Sequence, residues 1–265
     1  MVSAPDGTVS GFAAALSLGN RELVAFVGAG GKKTAMHALC RVGTTQGNTV
    51  GYTTTTQMPP PEFPFVQLPP SGLHERVLSA LETHGSPLGF AAREIPNPQR
   101  VRRKFKGYER ETVSALFADG PFDWMLVKAD GARQCEFKSP ASHEPVLPSR
   151  ATVVVPVASV KALGEPVGSD RINRSEQVAE LTGLTLDDPL TPEAVATVLS
   201  SESGSLKGVP PDARVILLCN KADTPREREL AREILAQVWE RTDRIECGLV
   251  TSFERDNCER VVPPN

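Results

Sequence analysis

Aromatic residues are scarce, at 5% of the 265-residue chain, so no base-stacking platform for single-stranded nucleic acid is expected. No charge of one sign dominates: 29 Lys and Arg stand against 32 Asp and Glu, a net charge of −3. That balance excludes a general nucleic-acid binder, which carries a basic excess. The five cysteines (Cys40, Cys135, Cys219, Cys247, Cys258) are scattered and form no C-x-x-C, which argues for reduced thiols in a cytoplasmic setting. The most apolar run, residues 151–160, is half the length of a spanning helix and contains Pro156, so no membrane segment is expected. The opening residues lack the basic start of a signal peptide.

What is present is a chain with 40% hydrophobic residues, 23 Pro and 21 Gly. It is long enough for one large domain over 1–265. Six β-branched, nearly continuous apolar runs (22–27, 48–54, 123–127, 151–157, 213–219 and 245–250) read as strands buried on both faces. Helical patterns lie between or after them, at 32–41, 72–83, 108–118, 174–182, 192–200 and 225–241. The alternation predicts an α/β fold: a three-layer α/β/α P-loop NTPase with a mostly parallel sheet. Residues 1–20 read as an N-terminal extension, and 56–120 as an insertion or switch-bearing region. Residues 56–72 and 131–150 are Pro-rich loops. The segment 100–106 holds five basic residues in seven, read either as a solvated face or as a phosphate- or partner-contacting patch.

From Val27 to Thr34 the chain reads Val-Gly-Ala-Gly-Gly-Lys-Lys-Thr. Three glycines within four residues at a strand exit let the backbone turn and phosphates approach closely. The helix that follows offers unpaired N–H groups and the positive end of its dipole. Gly28, Ala29, Gly30, Gly31, Lys32, Lys33 and Thr34 are therefore the expected phosphate cradle, with the N–H groups of Gly30 and Gly31 and the Lys32 ammonium on the phosphates. The usual G-x-x-x-x-G-K-[ST] pattern has Gly where Phe26 stands and a hydroxyl where Lys33 stands. Thr34 is the nearest hydroxyl for Mg²⁺.

Far downstream, Asn220-Lys221-Ala222-Asp223 follows an apolar run. In this N-K-x-D spacing the Asp carboxylate accepts two N–H bonds from the guanine edge, which favours GTP, with ATP as the alternative. Asn220 contacts the base or braces a loop, and the Lys221 stem lies along the ring; a helix-capping turn is the plainer account. Thr251 and Ser252 stand where a second base-contacting loop is expected. Asp130, at the end of the run from Trp124, is the candidate Mg²⁺ carboxylate, against a simple Asp-Gly turn. The hydroxyls of Thr53–Thr56 either reach metal or phosphate or satisfy backbone groups. Arg133 and Lys138 either approach phosphates or are solvated. His143, with no second His or Cys nearby, makes a poor metal site; its role is structural, or else proton transfer or effector sensing.

These stretches resemble the YqeC family of selenium-cofactor biosynthesis proteins, described as accessory proteins of selenium-dependent molybdenum hydroxylases. The family pattern reads V-G-A-G-G-K-T-T, T-T-T-T-K-M, V-E-A-D-G-[SA]-[RK], K-[AS]-P-A-x-H-E-P-V-[IL]-P and a late N-[KQ]-x-D. Here the corresponding stretches begin at Val27, Thr53, Val127, Lys138 and Asn220, and the resemblance covers about residues 22 to 252. Two departures stand out: Lys33 replaces a Thr, and Lys128 replaces a Glu. Each puts a cation where the family pattern has a metal-friendly group. The resemblance implies a nucleotide-binding protein that assists maturation of a selenium- or molybdenum-containing enzyme, with that enzyme or its maturation factors as partners. In that reading Lys32 and Asp130 are catalytic, Thr34 and Asp130 order Mg²⁺, and Asn220, Lys221 and Asp223 select the base. The alternatives are a non-hydrolysing scaffold, or a small-molecule kinase or synthetase on the same fold.

Overall fold

The computed structural model describes residues 2–3, 9–97 and 103–264. In chain order the first elements are β1 (Val2–Ser3), α1 (Val9–Leu16), β2 (Glu22–Gly28), α2 (Lys32–Thr45), β3 (Val50–Thr54) and β4 (Gln57–Met58). Then come β5 (Phe65–Gln67), α3 (Leu73–His84), β6 (Leu88–Ala91), β7 (Arg93–Ile95), β8 (Lys104–Lys106) and α4 (Arg110–Asp119). The remainder is β9 (Trp124–Lys128), β10 (Phe137–Lys138), β11 (Val153–Ser159), β12 (Ile172–Asn173), α5 (Ser175–Thr182), α6 (Pro192–Ser200), β13 (Arg214–Asn220), α7 (Pro225–Trp239), β14 (Cys247–Ser252) and β15 (Asn257–Val261).

The six expected strands all form, and all run parallel in one ten-stranded sheet of order β1-β15-β14-β13-β11-β2-β9-β3-β6-β5. Only β15 runs against the rest, pairing antiparallel with β14 on one side and with β1 on the other at one edge. Alternation along β2 sends Val24 and Phe26 to one face and Leu23, Ala25 and Val27 to the other. The first face packs on α1 and α2 through Phe12, Leu16, Met36 and Leu39. The second packs on α3 and α4, and further along on α6 and α7. Three layers result. Pro156 sits inside the central strand β11, where a missing N–H ordinarily breaks a ladder. The pairing with β13 passes from Val154–Val215 to Val157–Leu218 and skips the proline.

Residues 56–120 are more than an insertion. They supply β5 and β6 to the main sheet, helices α3 and α4 to its face, and a separate three-stranded sheet β4-β8-β7. No helix among the described residues is long and apolar enough to cross a membrane.

The topology gathers the C-terminal ends of β2, β9, β11 and β13 along one rim. At the N-terminal rim α1 meets the start of β13 with its C-terminal end. Its last carbonyls, Leu16 and Ser17, each accept a bond from the Arg214 guanidinium at 3.0 Å, and Glu246 holds the same guanidinium at 2.8 Å. A cation on a helix C-terminus satisfies orphan carbonyls and complements the dipole. Replacing it by alanine (Arg214→Ala) is expected to cost about 1–3 kcal/mol. Amide hydrogen exchange across residues 10–16 should accelerate first, while β2 and β11 keep their protection.

Candidate functional site

The loop between β2 and α2 turns through three glycines in the left-handed region, Gly28 (φ 85°), Gly30 (φ 86°) and Gly31 (φ 135°). Its N–H groups divide into two sets. Gly28 donates to Asp130 Oδ2 at 2.8 Å, Ala29 to the Val157 carbonyl at 2.9 Å and Gly30 to the Cys135 carbonyl at 3.1 Å. The Gly30 N–H expected on phosphate is thus spent within the protein, because Gly30 lies tight against Glu136 and Ser159. The second set heads α2. Gly31 is the N-cap residue and brings no side-chain cap, and the first helical N–H bonded back is that of Ala35. The later helices α6 and α7 are capped by Thr191 and Thr224.

Asn220 locks this loop from the end of β13. Its Nδ2 donates to the Gly30 carbonyl at 2.8 Å, while its Oδ1 accepts from Thr251 Oγ1 at 3.0 Å. A methyl group on Gly31 would lie 2.0 Å from that Nδ2, so the close approach requires glycine. Asn220 and the loop, 190 residues apart, are therefore joined as one unit. Asp223 points elsewhere: Ser252 Oγ donates to its Oδ1 at 2.7 Å and Lys161 Nζ lies 3.1 Å from its Oδ2. Burial pushes this carboxyl up, but Ser252 and Lys161 hold it below its usual range. Lys221 adopts φ 63° and pairs with Glu136 at 2.7 Å.

Beneath the loop lies a buried chain of charges. Lys32 Nζ is 2.6 Å from Asp130 Oδ1 and also donates to the Gly28 carbonyl. Lys138 Nζ bridges Asp130 Oδ2 at 3.2 Å and Glu144 Oε2 at 2.7 Å, and donates to the Gly131 carbonyl at 2.7 Å. Glu144 in turn accepts the N–H groups of Gly131 and Ala141. Lys128 Nζ donates to the Asp130 carbonyl at 2.5 Å, the Gln57 carbonyl at 2.9 Å and Thr56 Oγ1 at 3.2 Å. All five side chains are at most 8% exposed. Three ammoniums thus face two carboxylates. Burial pushes Asp130 and Glu144 up, yet Lys32 and Lys138 outweigh it at Asp130, and Lys138 with the Gly131 N–H does so at Glu144, so both lie below their usual range. Lys128, with no carboxylate of its own, is pushed down to about 7 by burial and by Lys32. A cavity of about 10 Å³, the room one water needs, lies against Gly28, Asp130, Lys138 and Pro145.

The expected Mg²⁺ site at Thr34 and Asp130 does not fit this arrangement. Both Asp130 oxygens are held by ammoniums, and the carboxylate is 1% exposed while Thr34 stands exposed on α2. A dication here would meet three cations. Three of the four threonine hydroxyls take the backbone role, Thr53 donating to the Phe90 carbonyl, Thr54 to that of Lys128 and Thr55 to that of Val146, while Thr56 Oγ1 accepts from Lys128 Nζ. Arg133 and His143 are exposed, and among the described residues no cluster of His, Cys, Asp and Glu suits a metal. Of the basic stretch, 100–102 lie outside the described residues, and Arg103 pairs with Glu94. The sequence reading missed Glu144, whose partner Lys138 lies six residues upstream inside the Pro-rich loop.

The family model described as YqeC protein matches residues 24–176, which include the glycine loop, Asp130, Lys138 and Glu144. The chain belongs to the YqeC family. A family relative in Escherichia coli (strain K12), named uncharacterized protein YqeC, is 30% identical over 224 residues, covering 83% of this chain and 84% of the relative. Among solved structures the chain is similar to FtsY from Mycoplasma mycoides (TM-score 0.43, 10% identity, covering 95% of this chain and 71% of that one). It is also similar to chloroplast FtsY from Physcomitrella patens (TM-score 0.40, 14% identity), covering 94% of this chain and 64% of that one.

Removing one partner of a buried ion pair strands the other, at about 3–5 kcal/mol. Lys138→Met should therefore lower the unfolding free energy by about 3 kcal/mol, and adding Glu144→Gln should recover part of that loss; urea melts of both variants measure it. A second prediction concerns pH. Above pH 7 the folded protein sheds the Lys128 proton, whereas the unfolded chain keeps it to about 10.5. The unfolded state then binds more protons, so stability rises with pH between about pH 7 and pH 8.5. Lys128→Met should flatten that slope in urea melts across the same range.

Proposed function

We propose that this YqeC-family chain binds a nucleotide, with GTP preferred over ATP, by its phosphates at the start of α2. The supporting observation is an uncapped helix N-terminus directly above the buried Lys32, Lys138 and Lys128, which below about pH 7 carry one positive charge more than Asp130 and Glu144 offset. A helix start attracts anions through its free N–H groups and dipole. The ammonium surplus adds a second attraction in a medium where charge is weakly screened.

In this reading Gly28, Ala29 and Gly30 shape the loop, and the N–H groups of Gly31, Lys32, Lys33 and Thr34 face the phosphates. Lys32 leaves Asp130 and follows the outer phosphates as a mobile point charge. Asp130 is then a positioning residue: it keeps Gly28 in place and holds Lys32 ready. Asn220 braces the loop, Lys221 lies beside the base, and the ionised Asp223 accepts the two N–H groups of the guanine edge. Phosphoryl transfer on such a site needs positioning and charge neutralisation more than covalent help. Binding without rapid turnover is the second reading. The Thr53, Thr54 and Thr55 hydroxyls are committed to backbone, and Lys128 fills the corner beside Asp130. The motif resemblance supports placing this activity in the maturation of a selenium-dependent molybdenum hydroxylase.

Calorimetric titration with GTP and ATP tests the reading. GTP should bind more tightly, Lys32→Ala should weaken it by at least about tenfold, or 1.4 kcal/mol, and Asp223→Asn should shift preference toward xanthine nucleotides. Absence of binding by either nucleotide would remove the proposal. Phosphate release under excess GTP separates turnover from binding alone.

A further inference from the structure

Lys128 is the one member of the buried cluster whose ammonium faces no carboxylate within bonding distance; it is ringed instead by oxygens from two separate stretches of chain. The Thr56 hydroxyl and the Gln57 carbonyl come from the segment after β3, and the Asp130 carbonyl from the segment after β9. Thr56 Oγ1 is itself 3.1 Å from Thr54 Oγ1, which donates to the Lys128 carbonyl at 2.6 Å. Carbonyl and hydroxyl oxygens crowded against a buried carboxylate are the hard donors a divalent cation seeks. Here they already hold a cation, one covalently attached to the chain.

We infer that Lys128 is a built-in substitute for a divalent cation, so that this chain grips a nucleoside triphosphate without Mg²⁺. The inference rests on the nucleotide reading above. A triphosphate normally brings Mg²⁺ because its own charge must be neutralised on entering a weakly screened site. The buried cluster has one ammonium in excess while Lys128 is protonated, the form an incoming triphosphate favours, and when Lys32 leaves Asp130 for the phosphates Lys128 and Lys138 still balance Asp130 and Glu144. Mg²⁺ demands oxygens at close range in near-octahedral order. To reach Asp130 it would have to displace Lys32 at 2.6 Å or Lys138 at 3.2 Å. Lys128 supplies charge at the same corner with no such exchange, and three of its N–H bonds fix where that charge sits.

Equilibrium binding of a fluorescent GTP analogue, with EDTA and with Mg²⁺, tests this on the full chain. The expected result is an affinity that differs by less than about threefold between the two conditions. Lys128→Met should lose about tenfold or more in EDTA, and Lys128→Glu should bind well only when Mg²⁺ is added; circular dichroism confirms that each variant is folded. Wild-type binding seen only with Mg²⁺ would overturn the inference and leave the nucleotide reading standing. Binding in neither condition would overturn both. A folded Lys128→Glu protein that binds equally well with and without Mg²⁺ would remove Lys128 as the cause.

Discussion

The Asp130 carboxylate is the point on which the functional rim turns. It accepts the Gly28 N–H, pairs with Lys32 and receives Lys138. Through those three contacts it joins the end of β2, the first turn of α2 and the Pro-rich loop after β9. An isolated buried carboxylate costs several kcal/mol, so its ionised form depends on the lysines, and their burial depends on it. The mutual dependence ties the geometry of the glycine loop to segments more than 100 residues away. Asn220 extends the same constraint to β13, since its amide fits only because Gly31 has no side chain.

Much of the fold was legible because parallel strands buried on both faces leave a simple signature. Residues 22–27, 123–127 and 213–219 became strands within one residue of expectation, and helix 192–200 matched at both ends. The strand expected at 151–157 runs instead from Val153 to Ser159, since Ala151 is spent in a turn to the Pro148 carbonyl. What stayed hidden depended on tertiary context. Helix α1 is short and is held by Arg214 and by packing on α2 and β15. Strands β5 and β6 have three and four residues, too short to carry a period; β5 lies inside the Pro-rich stretch 56–72 and β6 follows α3.

The site was legible in part. Glycines at a strand exit and the N-K-x-D stretch carry local signatures, and the topology brings Asn220 onto the loop. The charge chain has no local signature. Lys138 and Glu144 sit among prolines; the sequence leaves Lys138 open between a phosphate contact and a solvated side chain and gives Glu144 no role. They meet only because the loop folds back beneath Asp130, where Lys138 is 2% exposed and Glu144 is 7%. The threonine run at 53–56 illustrates a different limit. Hydroxyls at a strand end suit a metal or the backbone equally well, and only the three carbonyls within reach decide between them.

The account ultimately rests on Lys32 being held in reserve by Asp130 and released to an incoming phosphate. A crystal structure of the full chain with a non-hydrolysable GTP analogue examines that movement directly. The account predicts the Lys32 ammonium on the phosphates, Lys138 still on Asp130 and Glu144, and the phosphates seated on the N–H groups at the start of α2. A nucleotide bound elsewhere, or phosphates seated there with Lys32 still paired to Asp130, would contradict it.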